Sequence, residues 1–317
     1  MSLLRASLRI DAGVELPGEG PLEVAVEVIA PAQPMPVALV CLPGGGMNRR
    51  YFDLLPDDGD RSFSFAQQMA ARGFHVLTLD HLGIGDSSRP VDGYALDSEL
   101  LAAANAQATA RVRQQHPQLR HSIGVGHSMG AMLTLIQQAR TQAHAGIALL
   151  GFSTRGLPDY TPPDQHTLAA DPTQLREQLP TLARRIFRAP YPRIGRNPQS
   201  RDIFGSRSAD PRGVAALKAA SDEPILPLAA YHSMLPGNVA IDAATITVPV
   251  FLAVGDRDMA GTPQQIPAAF TASPQIDLHV LPDTGHAHFL FASRAQLIER
   301  LAIWTRQTVA GRGELGA

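Results

Sequence analysis

Short apolar runs recur along the chain, and glycine or proline residues bound most of them. Residues 22–29 alternate apolar with acidic side chains, as expected of a strand with one face in solvent. Further runs are apolar throughout, which is typical of strands covered on both faces, as in a parallel sheet flanked by helices. They are residues 37–42, 74–79, 123–126, 146–150 and 248–254.

Helical patterns separate these runs. Residues 64–72, 96–115 and 129–143 have this pattern and lie between predicted strands. A last strand over residues 276–281 precedes a terminal helix over residues 294–307. This alternation of strands and helices predicts an α/β sheet with right-handed crossovers.

One long segment lacks the alternation. Between residues 154 and 240 no buried strand is evident, while proline and arginine are frequent. The strand pattern resumes near residue 248. We therefore predict that residues 154–240 are an insertion folded over one end of a sheet, which is built from residues 1–153 and 241–317.

Composition and charge narrow the class of protein. Of the 317 residues, 44% are hydrophobic and 18% charged, as in ordinary globular proteins. The net charge of −2 argues against a nucleic-acid partner, and the single cysteine excludes an internal disulfide and a thiolate zinc site. The chain shows neither a signal-peptide pattern nor an apolar run of about eighteen residues. We therefore expect a soluble, cytoplasmic protein without a membrane partner.

The strongest chemical signal is the pentapeptide Gly126-His127-Ser128-Met129-Gly130, which has the form G-x-S-x-G. An apolar strand is predicted to lead into it and a helix to lead out. A serine at such a junction takes a strained backbone conformation that exposes its hydroxyl beyond the sheet edge. The two glycines let strand and helix pass closely. Ser128 is therefore the candidate nucleophile, in preference to a tight turn with an incidental serine.

A serine hydroxyl needs a base at neutral pH, most often a histidine held in one tautomer by a carboxylate. His286 lies between the last predicted strand and the terminal helix and is the candidate base. His288 is its nearest rival, whereas the side chain of His127 is expected to point away from Ser128 and pack behind it. A metal site of His286 and His288 is an alternative, but no third ligand is evident.

Two aspartates, Asp256 and Asp258, follow the strand predicted over residues 248–254. Open α/β sheets place functional groups at the carboxyl ends of their strands. We choose Asp258 as the carboxylate that orients the histidine, with Asp256 as the alternative. The chain order Ser128, Asp258, His286 is the order expected of this design.

A run of three glycines follows the strand predicted over residues 37–42 and can bend without steric cost. The N–H of Gly45 or Gly46, together with the N–H of Met129 at the helix start, is predicted to bind the negative charge that develops when serine attacks a carbonyl. A phosphate-binding loop is rejected, because the lysine and hydroxyl residue of a P-loop do not follow.

These residues resemble the α/β-hydrolase superfamily over nearly the whole chain. Residues 80–87 resemble the D-x-x-G-x-G-x-S turn after its fourth strand, residues 255–258 its G-x-x-D acid loop, and residues 284–286 its G-H base loop. Pro43 departs from the pattern, since many members have histidine there. The resemblance implies an eight-stranded, mostly parallel sheet flanked by helices, with residues 154–240 as a helical cap after the sixth strand.

The sequence thus predicts a serine hydrolase that cleaves a carboxylic ester, thioester or lactone through an acyl-enzyme. We expect a small-molecule substrate, no metal or organic cofactor, and a monomer or homodimer. Serine at the nucleophile position disfavours the chemistry of haloalkane dehalogenases, which use aspartate, and of dienelactone hydrolases, which use cysteine. The alternatives are a C–C bond hydrolase, a lyase or a cofactor-free peroxidase built on the same triad, and more distantly a ligand sensor with residual hydrolase activity.

Residues 176–218 carry ten basic and three acidic side chains. This local excess of positive charge hints at an anionic substrate, such as a carboxylated acid or a coenzyme A thioester. A solvated helix face is the favoured interpretation, because most charge runs have that role.

Overall fold

The computed structural model describes residues 3–193, 208–221 and 223–311, and these residues form one eight-stranded sheet. Its strands are β1 (Leu3–Asp11), β2 (Glu23–Pro31), β3 (Val37–Leu42), β4 (His75–Leu79), β5 (His121–His127), β6 (Gly146–Leu150), β7 (Val250–Gly255) and β8 (Ile276–Leu281). Their spatial order is β1-β2-β4-β3-β5-β6-β7-β8. Strand β2 pairs antiparallel with β1 and β4, and all other pairs are parallel. The predicted eight-stranded, mostly parallel sheet is confirmed.

Helices connect most of the strands. They are α1 (Phe65–Ala71), α2 (Ser98–Gln115), α3 (Met129–Thr141), α4 (Pro172–Phe187), α5 (Pro211–Ala220), α6 (Pro227–Met234), α7 (Ala240–Ala244) and α8 (Arg294–Ala310). Asp97 is the N-cap of helix α2, and its side chain accepts a hydrogen bond from the Leu100 N–H in the first turn. In the described part of the chain, no helix is both long and apolar enough to cross a membrane.

Strand β3 shows why its sequence is apolar at every position. All six of its side chains are buried. Alternate residues point to opposite faces of a sheet. Ala38, Val40 and Leu42 therefore belong to the hydrophobic core that includes α2 and α3. Their neighbours along the strand, including Leu39 and Cys41, belong to the core that includes α1 and α8.

Strand β1 is the element that the sequence pattern did not reveal. It lies at the edge of the sheet, and of its side chains only Ile10 is fully buried, while Leu4 is 62% exposed. Its register with β2 runs over nine residue pairs. Backbone hydrogen bonding rather than side-chain burial therefore holds this strand. Because few of its side chains are buried, its sequence has no clear hydrophobic pattern.

The segment between β6 and β7 contains helices and no strand among its described residues. Helices α4 and α6 share a small hydrophobic cluster of their own, which includes Leu179, Ala183 and Tyr231. This cluster is separate from the two cores that flank the sheet. The division of the chain into a core and a cap over residues 154–240 stays a prediction.

Candidate active site

Ser128 lies between β5 and α3, at the position that the sequence predicts. Its backbone has φ 54° and ψ −123°, a conformation that residues other than glycine rarely adopt. Its N–H donates to the backbone oxygen of Leu150 at 2.9 Å, which ties the turn to β6. The Ser128 hydroxyl makes no capping hydrogen bond to α3, so it is available to other groups. Holding such a strained residue costs about 1–3 kcal/mol, and surrounding structure must supply it.

The two glycines of the pentapeptide are required by space. A Cβ atom on Gly126 would overlap the backbone of Ala131, and one on Gly130 would overlap the backbone oxygen of Leu42. Because both neighbours are backbone atoms, no side-chain movement could relieve the overlap. The close approach of strand and helix therefore depends on glycine at both positions.

His286 joins Ser128 to Asp258. Its Nε2 atom lies 2.9 Å from Ser128 Oγ, and its Nδ1 atom lies 2.8 Å from Asp258 Oδ1. Since an ionised carboxylate can only accept, Nδ1 carries the hydrogen and Nε2 accepts from the serine hydroxyl. Ser128 precedes His286 by 158 residues and Asp258 precedes it by 28, and the structure brings these three side chains together.

Asp256 has a different contact. Its Oδ1 and Oδ2 atoms accept the backbone N–H groups of Thr284 and Asp283, each at 3.0 Å. It therefore holds the loop that carries His286, while Asp258 is the aspartate that reaches the ring. The two aspartates share the end of β7 but support the histidine in different ways.

The carboxylate of Asp258 is fully buried and charged. Burial by itself would raise the pKa of Asp258, but the electrostatic interactions and hydrogen bonds with the His286 and His288 rings outweigh it and hold that pKa well below its usual range. The side chain is therefore ionised at neutral pH, which is the state needed to orient an imidazole.

His127 points away from Ser128, as the sequence predicts. Its ring packs against Tyr51 with centroids 4.4 Å apart, and its Nε2 atom lies 2.8 Å from the backbone oxygen of His286. Because a carbonyl oxygen only accepts, Nε2 carries the hydrogen. Burial, with smaller contributions from His286 and His288, lowers the pKa of His127 well below its ordinary value, so the ring is neutral.

His288 contacts the acid rather than the serine. Its Nε2 atom lies 3.1 Å from Asp258 Oδ2, and its side chain is fully buried. The sequence indicated His288 only as an alternative base or a metal ligand. Among the described residues, no group of three or more His, Cys, Asp and Glu side chains is arranged to hold a metal ion.

The glycine-rich loop after β3 forms a tight turn beside α3. The Met47 N–H donates to the Gly44 oxygen at 3.2 Å, and Gly46 has φ 71°, as the third residue of a type II turn requires. A Cβ atom on Gly45 would lie 3.6 Å from Met129 Sδ, whereas one on Gly46 would lie 3.2 Å from Ile225. Gly45 is thus the glycine beside Met129. The Met129 N–H, at the first helical position, has no acceptor within its own helix.

Two residues that follow β4 support this loop, a role that the sequence pattern did not indicate. The Nε2 atom of His81 donates to the Pro43 oxygen at 2.9 Å, and its Nδ1 atom accepts from Asn105 at 3.0 Å. The Asp80 carboxylate accepts the Arg49 N–H at 2.7 Å. The turn at residues 80–87 therefore anchors the chain on both sides of the three glycines.

A cavity of about 50 Å³ opens beside Ser128 and His286. Most of its other lining side chains are apolar, namely Met129, Phe152, Leu157, Met259 and Ala260. The hydroxyls of Ser153 and Ser233 are engaged, since they donate to backbone oxygens at 2.6 and 2.7 Å. No Asp, Glu, Lys or Arg is among the described residues that line the cavity.

The described basic residues of the predicted charged stretch do not line this cavity. Those that the structure describes are exposed, namely Arg176, Arg184, Arg185, Arg188, Arg193, Arg212 and Lys218. Arg184 pairs with Asp92 at 3.4 Å, and Arg212 pairs with Asp58 at 2.9 Å. The three remaining arginines lie outside the described residues, at positions 196, 201 and 207. These observations favour the interpretation as a solvated helix face.

Residues 39–300 match the model of a family described as the Alpha/beta hydrolase family. No curated protein matches the chain. Among solved structures, a highly thermostable carboxyl esterase from Bacillus coagulans has a TM-score of 0.67 at 17% identity, and the match covers 98% of this chain and 99% of the esterase.

Two other solved structures of the same fold carry different names. A proline iminopeptidase from Mycobacterium smegmatis has a TM-score of 0.60 at 18% identity, covering 97% of this chain and 100% of that protein. A bromoperoxidase from Bacillus anthracis has a TM-score of 0.62 at 16% identity, covering 95% and 100%. At such low identity, these similarities show the fold alone.

Proposed function

This chain belongs to the alpha/beta hydrolase family, and we propose that it is a serine hydrolase that cleaves a carboxylic ester, a thioester or a lactone. The observation that carries the proposal is the line of hydrogen bonds from Ser128 through His286 to Asp258. A nucleophile, a base and a carboxylate in this arrangement are the groups that acyl transfer needs. The protein supplies them all, so the proposed reaction requires no metal or organic cofactor.

In the first half of the reaction, Ser128 Oγ attacks the carbonyl carbon of the substrate as His286 Nε2 takes the hydroxyl proton. Asp258 stabilises the imidazolium that forms and holds its orientation. The carbonyl oxygen becomes negatively charged, and the N–H groups of Met129 and Gly45 donate to it. Such donors act strongly because they are already in place when the charge develops.

In the second half, His286 returns its proton to the leaving oxygen or sulfur, and the acyl group stays on Ser128. A water molecule then loses a proton to His286 and attacks the acyl carbon. The carboxylic acid leaves when the proton passes back to Ser128 Oγ. The same three side chains thus serve both steps, because His286 acts first as base and then as acid in each of them.

We propose Gly45 rather than Gly46 as the second oxyanion donor. Gly45 lies beside Met129, and Gly46 faces Ile225. Two donors must converge on one oxygen atom, so the glycine nearer to Met129 is the better candidate. The turn from Gly44 to Met47 holds it there.

We propose that residues 154–240 form a cap over a core made of residues 1–153 and 241–317. Gly156, Leu157 and Ser233 belong to this segment and line the cavity beside the nucleophile. The cap would therefore take part in selecting the substrate. A separate hydrophobic cluster within the segment supports its treatment as a unit.

The cavity favours a small, uncharged group on the substrate. A volume of about 50 Å³ holds roughly three to five water-sized groups, since each needs about 10–15 Å³. An ammonium group, such as a peptide amino terminus, would need a carboxylate partner, and none lies among the described lining residues. This favours ester cleavage over peptide cleavage within a fold that hosts both.

The test is a panel of p-nitrophenyl esters, acyl-CoA thioesters and lactones, assayed with the wild type and with Ser128→Ala. Loss of a triad nucleophile is expected to lower kcat by about 10⁶-fold while the protein stays folded. A fluorophosphonate should label the wild type and leave Ser128→Ala unlabelled. Retained turnover in the purified variant would refute the assignment of Ser128.

A further inference from the structure

Two histidines bind the carboxylate of Asp258, one at each oxygen. His286 Nδ1 lies 2.8 Å from Oδ1, and His288 Nε2 lies 3.1 Å from Oδ2. The backbone N–H of Ala260 also donates to Oδ1, at 3.1 Å. Among the described residues, His288 is therefore the one side chain that donates a hydrogen bond to Oδ2.

The protonation of His288 follows from its surroundings. The ring is fully buried, and its Nδ1 atom has no hydrogen-bond partner among the described residues. Because the carboxylate accepts, the hydrogen lies on Nε2. A second hydrogen on Nδ1 would be a buried donor with nothing to receive it, which is costly. His288 thus acts as a neutral donor.

A histidine at this position is unusual for packing alone. The residues that follow it, Phe289 and Leu290, are buried and apolar, as the surrounding core is. Burying a polar ring there costs free energy unless its N–H is used, and the described group that uses it is Asp258.

We propose that His288 is a positioning residue of the active site, which holds the Asp258 carboxylate in the orientation that His286 requires. The inference rests on the proposed function, in which His286 is the base. With a donor at each oxygen, the carboxylate cannot rotate about its Cβ–Cγ bond without losing a hydrogen bond. Without His288, Oδ2 is buried and unpaired, and the carboxylate is free to turn away from the His286 ring.

Loss of the hydrogen bond from His288 to Asp258 should also change the pH profile of kcat/KM. A carboxylate that has turned away from the ring stabilises the His286 imidazolium less, so the acidic limb of kcat/KM should move to lower pH. Besides Asp258 and His286, the described titratable groups beside His288 include His127 and Tyr51. Burial lowers the pKa of His127 and raises the pKa of Tyr51, so neither changes charge near pH 7.

The experiment compares His288→Met, His288→Asn and His288→Gln with the wild type on a short-chain p-nitrophenyl ester. Glutamine can place an amide N–H where Nε2 lies, asparagine is polar but too short, and methionine fills space without a donor. We expect kcat to fall about 10- to 100-fold in the Met and Asn variants, as for a lost hydrogen bond to a charged group. KM should stay within about 2-fold, and His288→Gln should recover most of kcat and the wild-type acidic limb.

The outcomes separate this inference from the proposed function. If the wild type shows no turnover that depends on Ser128, the proposed function fails and this inference fails with it. If the wild type is active and folded His288→Met or His288→Asn matches it in kcat and in the acidic limb, only this inference fails. Equal losses in His288→Gln and His288→Asn would also overturn it, because packing alone would then explain the effect. If His288→Met does not fold, the Asn and Gln pair decides.

Discussion

His127 Nε2 lies 2.8 Å from the backbone oxygen of His286, so the residue before the candidate nucleophile holds the loop that carries the candidate base. The contact joins the end of β5 to the loop after β8 through a backbone atom, whereas the reacting hydrogen bond joins them through Ser128. A triad works only if its members stay within hydrogen-bonding distance of one another. This second link between the same two loops restrains that distance without entering the reaction.

We expect His127→Phe to destabilise the protein and to slow the reaction. Phenylalanine keeps a ring against Tyr51 but leaves the His286 backbone oxygen buried without its donor. The free energy of unfolding should fall by about 1–3 kcal/mol, the usual cost of an unsatisfied buried group. Urea denaturation and kcat on a short ester would measure both effects. Unchanged stability would show that the hydrogen bond is not required.

Gly45→Pro tests which glycine supplies the second oxyanion donor. Gly45 is the second residue of the turn that Met47 closes, a position that accepts proline, and proline has no N–H. Loss of one oxyanion donor should lower kcat by about 10²–10³-fold. Gly45→Ala is the matched control, since it keeps the N–H and its Cβ has room at 3.6 Å from the nearest atom. If Gly45→Pro stays folded at the wild-type rate, the donor is not Gly45.

His144 should make stability depend on pH. Burial, followed by a smaller effect of Arg113, lowers the pKa of His144 from 6.5 to about 3. Between these values the unfolded chain binds a proton that the folded protein does not, so the free energy of unfolding falls as pH falls through this window. Above about pH 6.5 the neutral His144 costs no stability. Between about pH 6.5 and pH 3, the free energy of unfolding falls by about 1.4 kcal/mol for each pH unit of acidification.

Replacement of His144 by phenylalanine isolates that contribution from those of the other histidines. The Ser122 hydroxyl donates to the Ala143 oxygen at 3.1 Å, so His144 Nδ1 carries the hydrogen directed at Ser122 Oγ. The Nε2 atom is buried and has no hydrogen-bond partner among the described residues. Urea unfolding from pH 7 to pH 4 should show a shallower loss of stability in His144→Phe than in the wild type. Identical slopes in the two proteins would contradict this assignment.

The small cavity predicts a preference for short substrates. On p-nitrophenyl esters, kcat/KM should decrease as the acyl chain lengthens, because Leu157 and Met259 limit the space beside Ser128. Leu157→Ala and Met259→Ala should move the preference toward longer chains. Val91→Ala is the control, since Val91 is 85% exposed and does not line the cavity. A length profile that neither cavity variant changes would exclude this cavity as the binding site of the acyl group.

The sequence alone was sufficient for the elements whose signals are local. Strands covered on both faces are apolar throughout, so β3 and β7 could be read directly from the chain. The turn at Ser128 could also be predicted from the sequence, because a close strand-to-helix turn sterically requires the glycines on both sides of it. Strand β1 was not predicted, because an edge strand held by backbone pairing buries few of its side chains.

Only the tertiary structure decided which residues far apart in the chain contact one another. Asp256 and Asp258 look alike in sequence, yet one holds the loop backbone and the other holds the His286 ring. The contact of His288 with Asp258 was likewise invisible to sequence patterns. Periodicity reports which face of an element is buried, but it carries no information on which side chain from another loop arrives there. That depends on strand order and on loop conformation within a few tenths of an ångström, and both exist only in the folded chain.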